Sequence, residues 1–525
     1  MASTSISSRT AASGPRPGTE ARDLDGDRDP VEIQLASGAL GGICDEMGAA
    51  LIRSAHSANI KERRDCSTAL FDPSGRMVMQ AEHIPVHLGS MPASVAAVVG
   101  FDQEPGVSWF LNDPYSGGSH LPDITVVTPV FDDSGLLLGF AANRAHHADV
   151  GGIRPGSMPA DSTRIEDEGV VISPRVMDEE AIAEVTASMR QPDQRRADLK
   201  AQLAANHRGL SGLRELADRH GAEGLFRRMD AVISYAEART RASIAAIPDG
   251  VRRSTDVLEA RSGDIELVLE VTVDGEEIEF DFTGCPGPDD GNLNCPRAVT
   301  EAACLFAVRV LTDPDIPANS GTFEPVRVVI PERSLLDAPP PHAVVAGNVE
   351  TSSRVADLCL AAFGHALGQG TMNNLTLGNE GFTYYETIGG GQGGFPDADG
   401  PSATQVAMSN TLNTPIEALE IEFPLIATEY SVRRGSGGEG RHRGGDGIVR
   451  EIEALEPMEF ALLTERRRHA PPGANGGSPG EPGSNTILRS GGATPETLDP
   501  KVNGRLEAGD RLRIETPGGG GDGSA

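Results

Sequence analysis

The amino-acid sequence predicts an α+β, multi-domain protein: mixed sheets with a central helical region and a β-rich C-terminal module. Three patterns predict this class. Two early stretches pair β-branched runs across tight turns, residues 178–247 carry helical periodicity, and residues 421–525 alternate strand signals with Gly and Pro turns. A chain of 525 residues also exceeds a typical single domain. The predicted division is 1–30 a disordered tail, 31–175 a hairpin domain with a candidate site, 176–250 the helical region, 251–345 an α/β domain, 346–420 a helix and Gly-rich loop region, and 421–525 the β-rich module.

The composition argues against nucleic acid and anionic membrane surfaces as partners, because the chain has a net charge of −32 and a pI of about 4.7. Its lysines are Lys61, Lys200 and Lys501, so nearly all of the 45 basic residues are arginine. Dense carboxylates hold hydration and counter-ions where salt screening is strong, so this surface predicts a halophilic origin. A high-GC codon bias would also favour arginine over lysine.

The cysteines and the N-terminus predict a cytoplasmic protein. The six cysteines form no CxxC pair and no dense framework, which is typical of free thiols in a reducing compartment. Residues 1–30 lack an apolar segment and are not a signal peptide by composition. No apolar run reaches the ~18 residues that a membrane span needs.

The secondary structure follows from periodicity and turn chemistry. Residues 29–56 and 178–247 have amphipathic helical spacing, and Gln191-Pro192 and Gly221 divide the second range into roughly three helices. Asp274-Gly275 is a strong hairpin signal. Further helices are predicted over 298–311 and 348–369, and further strands over 265–273, 277–282, 326–330, 383–388, 421–430, 448–455, 460–464, 486–488 and 511–515.

Residues 112–152 contain the strongest candidate site. Two apolar runs, 124–131 and 136–143, flank the turn Asp132-Asp133-Ser134-Gly135, a pattern typical of a β-hairpin. An antiparallel hairpin returns its second strand to the start of its first. Polar side chains before the first run and after the second should therefore meet at the open end.

Those polar side chains are histidines and aspartates. His120 and Asp123 precede the first run, and His146, His147 and Asp149 follow the second. Converging imidazoles and carboxylates suit a divalent transition metal such as Zn, Mn or Fe. The alternative is a polar loop on a sheet edge, because the spacing matches no standard zinc module.

The register of this hairpin decides which histidine is the ligand. A symmetric turn places His120 opposite His147 and Asp123 opposite Arg144. A shift of about two residues brings in His146 instead, so His146 and His147 are both candidate ligands.

A second hairpin has nearly the same turn, Asp72-Pro73-Ser74-Gly75. The same symmetry places Asp65 opposite Glu82, beside His83. His87 lies four residues after His83, and Pro85 between them favours a loop. Both histidines are candidates for ligand or substrate contact, and two hairpins of like design predict one polar cavity built from both.

Two Gly-rich stretches offer candidate substrate contacts. Residues 389–394 fit G-x-G-x-x-G, but Phe395-Pro396-Asp397 cannot open a Rossmann helix. A backbone nest around Gly391 and Gln392 is therefore favoured over a dinucleotide site. Arg433 and Arg434 adjoin another glycine-rich loop and would suit an anion or carboxylate; alternatively, they neutralise the surrounding acids.

Several motifs together resemble the hydantoinase B/oxoprolinase family. This family comprises the B subunit of ATP-dependent N-methylhydantoinase, the C-terminal half of 5-oxoprolinase and the large subunit of acetone carboxylase. The motifs occur in family order from about residue 30 to the end, and they are NIKERRDCSTALFDPSGRMVMQAEHIPVHLGSMP, NDPYSGGSHLPD, RAHHADVGGIRPGSMP, DIPANSGTF, GNVETSSRVAD, NTPIEALE, RRGSGGEGRHRGGDGIVR and TPGGGG.

The resemblance implies a hetero-oligomer with an A subunit, an actin-like ATPase that binds ATP and phosphorylates the substrate. The B subunit then completes hydrolysis or carbon–carbon bond formation. The acetone carboxylase relatives hold a metal through His and Asp. The matching positions here are His120, Asp123 and His146 or His147, with Asp149 close by.

We therefore expect ATP-dependent hydrolysis of a cyclic amide, a hydantoin or 5-oxoproline. A divalent metal would activate water and stabilise the oxyanion, and Asp149 or His83 would act as general base. Gly391, Gln392, Arg433 and Arg434 would hold the substrate carboxylate or phosphate. The alternatives are a carboxylase of the acetone carboxylase type and a scaffold that only positions the ATPase.

Overall fold

A computed structural model describes residues 29–82 and 85–524 of the chain. Within these residues the strands form four sheets, of six, four, four and five strands. Helices pack against the first two sheets, so the predicted α+β class with mixed sheets is confirmed. His83 and all of the predicted tail except residues 29 and 30 lie outside the described residues.

The first sheet contains both predicted hairpins. Its strands are β1 (Cys66–Phe71), β2 (Met77–Glu82), β3 (Trp109–Leu111), β4 (Asp123–Phe131), β5 (Leu137–His146) and β6 (Arg175–Val176). Their order across the sheet is β2-β1-β5-β4-β3-β6, so the two hairpins are joined through β1 and β5.

Helices cover both faces of this sheet because its strands alternate apolar side chains between the faces. The helices of this part of the chain are α1 (Pro30–Ser54), α2 (Ala58–Lys61), α3 (His87–Val99), α4 (Ile165–Glu168), α5 (Glu179–Thr186), α6 (Pro192–His220) and α7 (Ala222–Ile244), with a 3₁₀ turn at Pro114–Ser116. Leu70 and Ala141 pack toward α1, α6 and α7. Ala69 and Phe140 pack toward α3 on the opposite face.

The predicted division of residues 178–247 into three helices is confirmed. The breaks fall at Gln191 and Gly221, whose φ angles of 54° and 72° are left-handed. A left-handed residue cannot continue a right-handed helix, so each break redirects the chain.

Both hairpins are present, but their predicted registers are wrong by two residues. Asp123 pairs with His146 rather than Arg144, and Glu82 pairs with Ser67 rather than Asp65. Each turn contains one residue more than a symmetric turn would, which shifts the strand pairing by one residue. The β-bulge beside the turn shifts the pairing by one residue more. Each turn ends in a glycine with a left-handed backbone: Gly75 in the first hairpin and Gly135 in the second, both with φ 85°.

Helix α1 is long and apolar enough, by length and composition, to cross a membrane. Its apolar face is buried in the protein, where Leu40, Met47 and other side chains pack against the first sheet and α6. That packing is typical of a core helix.

The second sheet packs against helices from the same part of the chain. Its strands are β7 (Gly250–Ala260), β8 (Gly263–Asp274), β9 (Glu277–Asp281) and β10 (Val326–Val329), and its helices are α8 (Arg297–Leu311), α9 (Ser320–Phe323), a π-helical turn (Gly347–Thr351) and α10 (Ser352–Ala362). Side chains of α8 and α10 fill the core against β8 and β9.

The third and fourth sheets share one core. The third contains β11 (Asn374–Gly378), β12 (Thr383–Glu386), β15 (Met458–Leu463) and β18 (Lys501–Leu506). The fourth contains β13 (Leu425–Arg433), β14 (Gly447–Ala454), β16 (Ser484–Leu488), β17 (Glu496–Thr497) and β19 (Arg511–Glu515), and α11 (Ile416–Glu422) precedes it. Because β11 pairs with β15, one sheet spans the division that the sequence placed at residue 420.

Candidate metal centre

Three neighbouring strands of the first sheet have their ends at one edge, and those ends carry acidic and imidazole side chains. Asp123 begins β4 and His146 ends β5, and the two are direct partners in the register. His120 lies three residues before β4, and its carbonyl accepts a hydrogen bond of 3.0 Å from Asp123 N. Asp65 lies just before β1, and its carbonyl accepts one of 3.0 Å from His146 N.

This edge brings His120, Asp123 and His146 together. One ligand atom from each side chain lies within 4.8 Å of the other two. His120 Nε2 is 3.4 Å from Asp123 Oδ2. All three side chains are buried, with at most 2% of each residue exposed.

The donor atoms of these side chains fit a divalent cation. Both ring nitrogens of His120, Oδ1 of Asp123 and Nε2 of His146 are buried and have no hydrogen-bond partner among the described residues. Buried polar atoms normally have partners, and a cation at this position would contact one donor atom of each of the three side chains. Two imidazoles and one carboxylate are the donors that Zn²⁺, Mn²⁺ or Fe²⁺ takes.

Burial and charge keep Asp123 and His146 in the forms that bind a cation. Burial alone would raise the pKa of Asp123, but the His120 and His87 imidazoles hold that pKa well below its ordinary value. Burial, reinforced by His120, lowers the pKa of His146 well below its ordinary range. An ionised carboxylate and a neutral imidazole are the forms that coordinate metals.

Residues from distant segments fix the His146 ring. Tyr385, in β12, stacks on it with ring centroids 4.5 Å apart and planes inclined by 7°. The Arg63 guanidinium lies over the Tyr385 ring, 4.5 Å from its centroid. Asn59 Nδ2 lies 3.2 Å from His146 Nδ1. The ring orientation is therefore set by Tyr385 and Asn59 besides the sheet, and Arg63 in turn supports Tyr385.

The site also contains His87, which the sequence offered as a candidate ligand or substrate contact, and Asp65, which the sequence did not assign to it. Both line the same cavity of about 20 Å³ as His120, Asp123 and His146, a volume that suits one water molecule or ion. His87 Nε2 is 3.5 Å from Asp123 Oδ2. The sequence signal for His87 was its four-residue spacing from His83, but its place depends on α3 beginning at that residue.

His147 and Asp149 point elsewhere. His147 Nε2 is 2.9 Å from Gln202 Oε1, on α6. The buried Asp149 carboxylate accepts hydrogen bonds from Gly151 N, Gly156 N and Arg190, so it organises the loop after β5. Because His146 faces the cavity, the alternation of the strand sends the next side chain to the other side.

The predicted substrate contacts lie in a separate glycine-rich region. A Cβ atom on Gly391 would lie 2.0 Å from Gly445 O, so this glycine serves close backbone packing. Gln392 N donates to Pro401 O, and Arg433 Nη1 donates to Pro482 O and Thr516 O. Arg434 is exposed. None of the four is among the described residues that line the cavity of His120, Asp123 and His146.

Comparison with known proteins gives a family and named relatives. The model of the Hydantoinase B/oxoprolinase family matches residues 29–525. A relative in Arabidopsis thaliana, "5-oxoprolinase 1", is 42% identical over 94% of this chain, which covers 42% of that relative. The chain thus spans less than half the length of this curated relative. A Pseudomonas relative, named as the putative B subunit of a D-/L-hydantoinase, is 27% identical, with 94% and 90% of the two chains covered.

Solved structures with the same fold include two ATP-dependent enzymes. The ATP-dependent caprolactamase from Pseudomonas jessenii matches with a TM-score of 0.89 and 25% identity, covering 95% of this chain and 92% of that one. An acetone carboxylase matches with a TM-score of 0.85 at 17% identity, covering 94% and 76%. The latter likeness concerns the fold alone.

Proposed function

Because the chain belongs to the Hydantoinase B/oxoprolinase family, we propose that it is the B subunit of an ATP-dependent cyclic amide hydrolase of the hydantoinase or 5-oxoprolinase type. A partner ATPase subunit of the hydantoinase A type would bind ATP and phosphorylate the substrate. This chain would then hydrolyse the activated ring. The observation that carries the proposal is the buried group of His120, Asp123 and His146 with its unpartnered donor atoms.

The chemistry explains why ATP is needed. An unactivated lactam resists attack by water, whereas a phosphorylated amide oxygen makes the ring carbon strongly electrophilic. The family relatives support an amide substrate, since they include proteins named 5-oxoprolinase and an ATP-dependent caprolactamase.

Each residue at the cavity would have its own role in the reaction. His120, Asp123 and His146 would hold a divalent cation, which lowers the pKa of a coordinated water and polarises an oxygen of the substrate. Asp65, also in the cavity, is placed to accept a proton from the attacking water. Tyr385 covers His146 and keeps its ring in position.

The partner subunit is proposed on two findings. The Pseudomonas relative of nearly equal length carries the name of one subunit of a hydantoinase, which implies at least one companion chain. The plant 5-oxoprolinase is more than twice as long as its matched part. Both fit a division of labour in which the ATP-dependent step belongs to another polypeptide or domain.

The test is a reconstituted assay with a candidate ATPase partner. The pair is expected to hydrolyse 5-oxoproline, a hydantoin or another lactam only when ATP is present. His146→Ala should lower kcat by at least about 10²-fold, because metal polarisation contributes several kcal/mol to the transition state. His207→Ala, on the exposed side of α6, is the matched control and should retain activity.

Two results would contradict the proposal. Turnover that survives both His120→Ala and His146→Ala would remove the metal centre from the reaction. Substrate-dependent incorporation of labelled bicarbonate, without lactam hydrolysis, would assign the chain to carboxylation instead.

A further inference from the structure

We propose that two copies of this chain associate through the outer face of helix α1, with the two helices packed antiparallel across a two-fold axis. This outer face consists of four residues at intervals of four, three and four, which place them on one side of the helix: Val31, Leu35, Gly38 and Gly42. All four are exposed. The face that packs against the first sheet is a different one, since its Leu40 is buried.

The outer face of α1 is apolar and uncovered. Leu35 is 68% exposed and Val31 is 62% exposed. The helix is as apolar as a membrane span by length and composition, yet only 39% of its most apolar 18-residue stretch is buried within the protein. A helix with apolar residues on more than one face is normally covered on each of them, and exposed apolar patches mark interaction sites. The outer face therefore has the character of an interface.

No contact among the described residues requires glycine at positions 38 and 42. A Cβ atom on either residue would meet no atom within 4 Å. Glycine within a helix is less favourable than alanine, because it loses more conformational freedom on folding. Gly212 in α6 is a contrasting case, since a Cβ atom there would lie 2.7 Å from Ile43 Cγ1. Internal packing explains Gly212, whereas Gly38 and Gly42 suit the close approach of another molecule.

The order of large and small residues along this face fits a second copy of the same face. Its midpoint lies between residues 36 and 37. In an antiparallel pair with the two-fold axis at this midpoint, Val31 of one copy lies opposite Gly42 of the other, and Leu35 lies opposite Gly38. Each large side chain then fills the space that a glycine leaves, which allows the two helix axes to approach closely.

An apolar groove of about 320 Å³ continues the outer face toward α6 and α7. A second helix laid along the outer face would also cover part of this groove, so the contact would bury more apolar surface than α1 alone offers. The apolar residues that line the groove are Leu35, Ala36, Ala39, Leu40, Leu216 and Leu225.

The charges beside the outer face favour the antiparallel direction. Arg219 lines the groove beside the N-terminal half of α1, and Asp45 follows Gly42 on the C-terminal half. Both side chains are exposed, and neither has a hydrogen bond or an ion pair among the described residues. Antiparallel packing brings the Arg219 end of one copy toward the Asp45 end of the other, whereas parallel packing would bring like charges together.

This interface is remote from the candidate metal centre, so the inference is independent of the proposed function. The N-terminal half of α1 packs, through Leu40, against Val130 and Leu138, which flank the turn of the β4–β5 hairpin. The metal centre lies at the open end of the same hairpin. Lactam hydrolysis is therefore expected to persist in variants of the outer face.

Sedimentation velocity of the full chain tests the inference over protein concentrations from about 1 to about 100 µM. One helix from each copy is a small contact beside the roughly 1,200–2,000 Å² of a standard stable interface, so we expect a dimer that dissociates on dilution. Leu35→Lys should raise the dissociation constant by at least about 10-fold, because it places two like charges near the two-fold axis. Gly38→Leu should have a similar effect, because it fills the space that Leu35 of the other copy occupies.

Two comparisons separate loss of the contact from damage to the fold. Leucine favours a helix more than glycine does, and a Cβ atom at position 38 meets open space, so Gly38→Leu should not lower the unfolding temperature. Val310→Lys changes another exposed apolar side chain, near the end of α8, and is the matched control for Leu35→Lys. It should leave the dissociation constant unchanged.

Three results would overturn the inference. The first is a wild-type chain that stays monomeric up to about 100 µM. The second is a wild-type dimer that survives both Leu35→Lys and Gly38→Leu, because its contact would then lie elsewhere. The third is a monomeric chain that binds the candidate ATPase subunit and loses that binding with Leu35→Lys, which would assign the outer face to the ATPase subunit.

Discussion

The side chain of His146 receives contacts from two distant parts of the chain. Tyr385 stacks on its ring, and Asn59 contacts its Nδ1 at 3.2 Å. A metal on Nε2 requires the proton on Nδ1. Asn59 directs its Nδ2 at that atom, and a rotation of the amide by 180° lets its oxygen accept the proton instead. Asn59 is therefore a positioning residue for the proposed ligand.

Substitutions of Asn59 test this role. Asn59→Leu should weaken metal binding by about 10–100-fold, because the tautomer and the ring orientation lose their partner. Asn59→Asp should retain binding, because a carboxylate accepts the same proton. The measurement is the dissociation constant for Mn²⁺ or Zn²⁺ in competition with a chelator. Equal affinities for the leucine variant and the wild type would contradict the assignment.

At this scale the sequence predicts part of the site. The hairpin pattern brings His120, Asp123 and either His146 or His147 to one end. The second hairpin pattern offered His87 as a candidate and predicted one cavity built from both hairpins, but the approach of Asp65 and His87 to the other three residues depends on β1 lying beside β5 and on the start of α3. Neither feature is encoded by local spacing.

At the scale of elements, the two hairpins of the first sheet depend on their left-handed glycines. Gly135 has φ 85°, and a Cβ atom there would meet open space. The bulges beside these turns set the register that pairs Asp123 with His146. A bulge leaves little trace in sequence, which is why a symmetric turn gave a register wrong by two residues.

Two glycine substitutions separate backbone strain from packing. Gly135→Ala should lower the free energy of unfolding by about 1–2 kcal/mol, because an alanine is strained in the left-handed region. Gly38→Ala, within α1 and also without atoms within 4 Å, should raise it by about 0.5–1 kcal/mol. Chemical denaturation measures both, and a stabilising Gly135→Ala would refute the turn geometry.

A buried carboxylate connects α4 to the segment before the π-helical turn. Glu168 accepts hydrogen bonds from Val344 N, Val345 N and Ser162 Oγ. Burial nevertheless raises the pKa of Glu168 to about 8. In the unfolded chain its pKa returns to about 4.3. Its contribution to stability is therefore complete below about pH 4 and declines as the pH rises through 8.

The variant Glu168→Gln removes this titration. The free energy of unfolding of the wild type should fall more steeply than that of the variant between about pH 5 and about pH 8. The difference in slope should reach up to about 1.4 kcal/mol per pH unit. Comparing the two proteins isolates Glu168 from Glu350 and Asp357, whose pKa values burial also raises, to about 8 and about 7. Parallel pH profiles would contradict the assignment.

For the whole molecule, the glycine-rich segments pack on one another. Cβ atoms on Gly391, Gly444 and Gly519 would each lie within about 2.0 Å of a backbone oxygen. The sequence suggested a nest for substrate at Gly391 because local glycine patterns resemble such loops. The contacts between segments far apart in the chain, which decide their packing, are not readable from spacing.

The net charge of −32 predicts how the stability of the whole protein depends on salt. If the acidic surface is an adaptation to salt, the unfolding temperature should rise steadily between dilute buffer and about 1 M KCl, because salt screens carboxylate repulsion. Sucrose of matched osmolarity is the control and should have a smaller effect. Full stability in dilute buffer would refute a halophilic origin.

The central claim is that His120, Asp123 and His146 bind a divalent cation. Anomalous X-ray diffraction at the metal edge, from crystals grown with Mn²⁺ or Zn²⁺, tests it most directly. We expect an anomalous peak about 2.0–2.3 Å from one donor atom of each of the three side chains. A metal-loaded crystal without a peak at this position, or with its peak elsewhere, would contradict the claim.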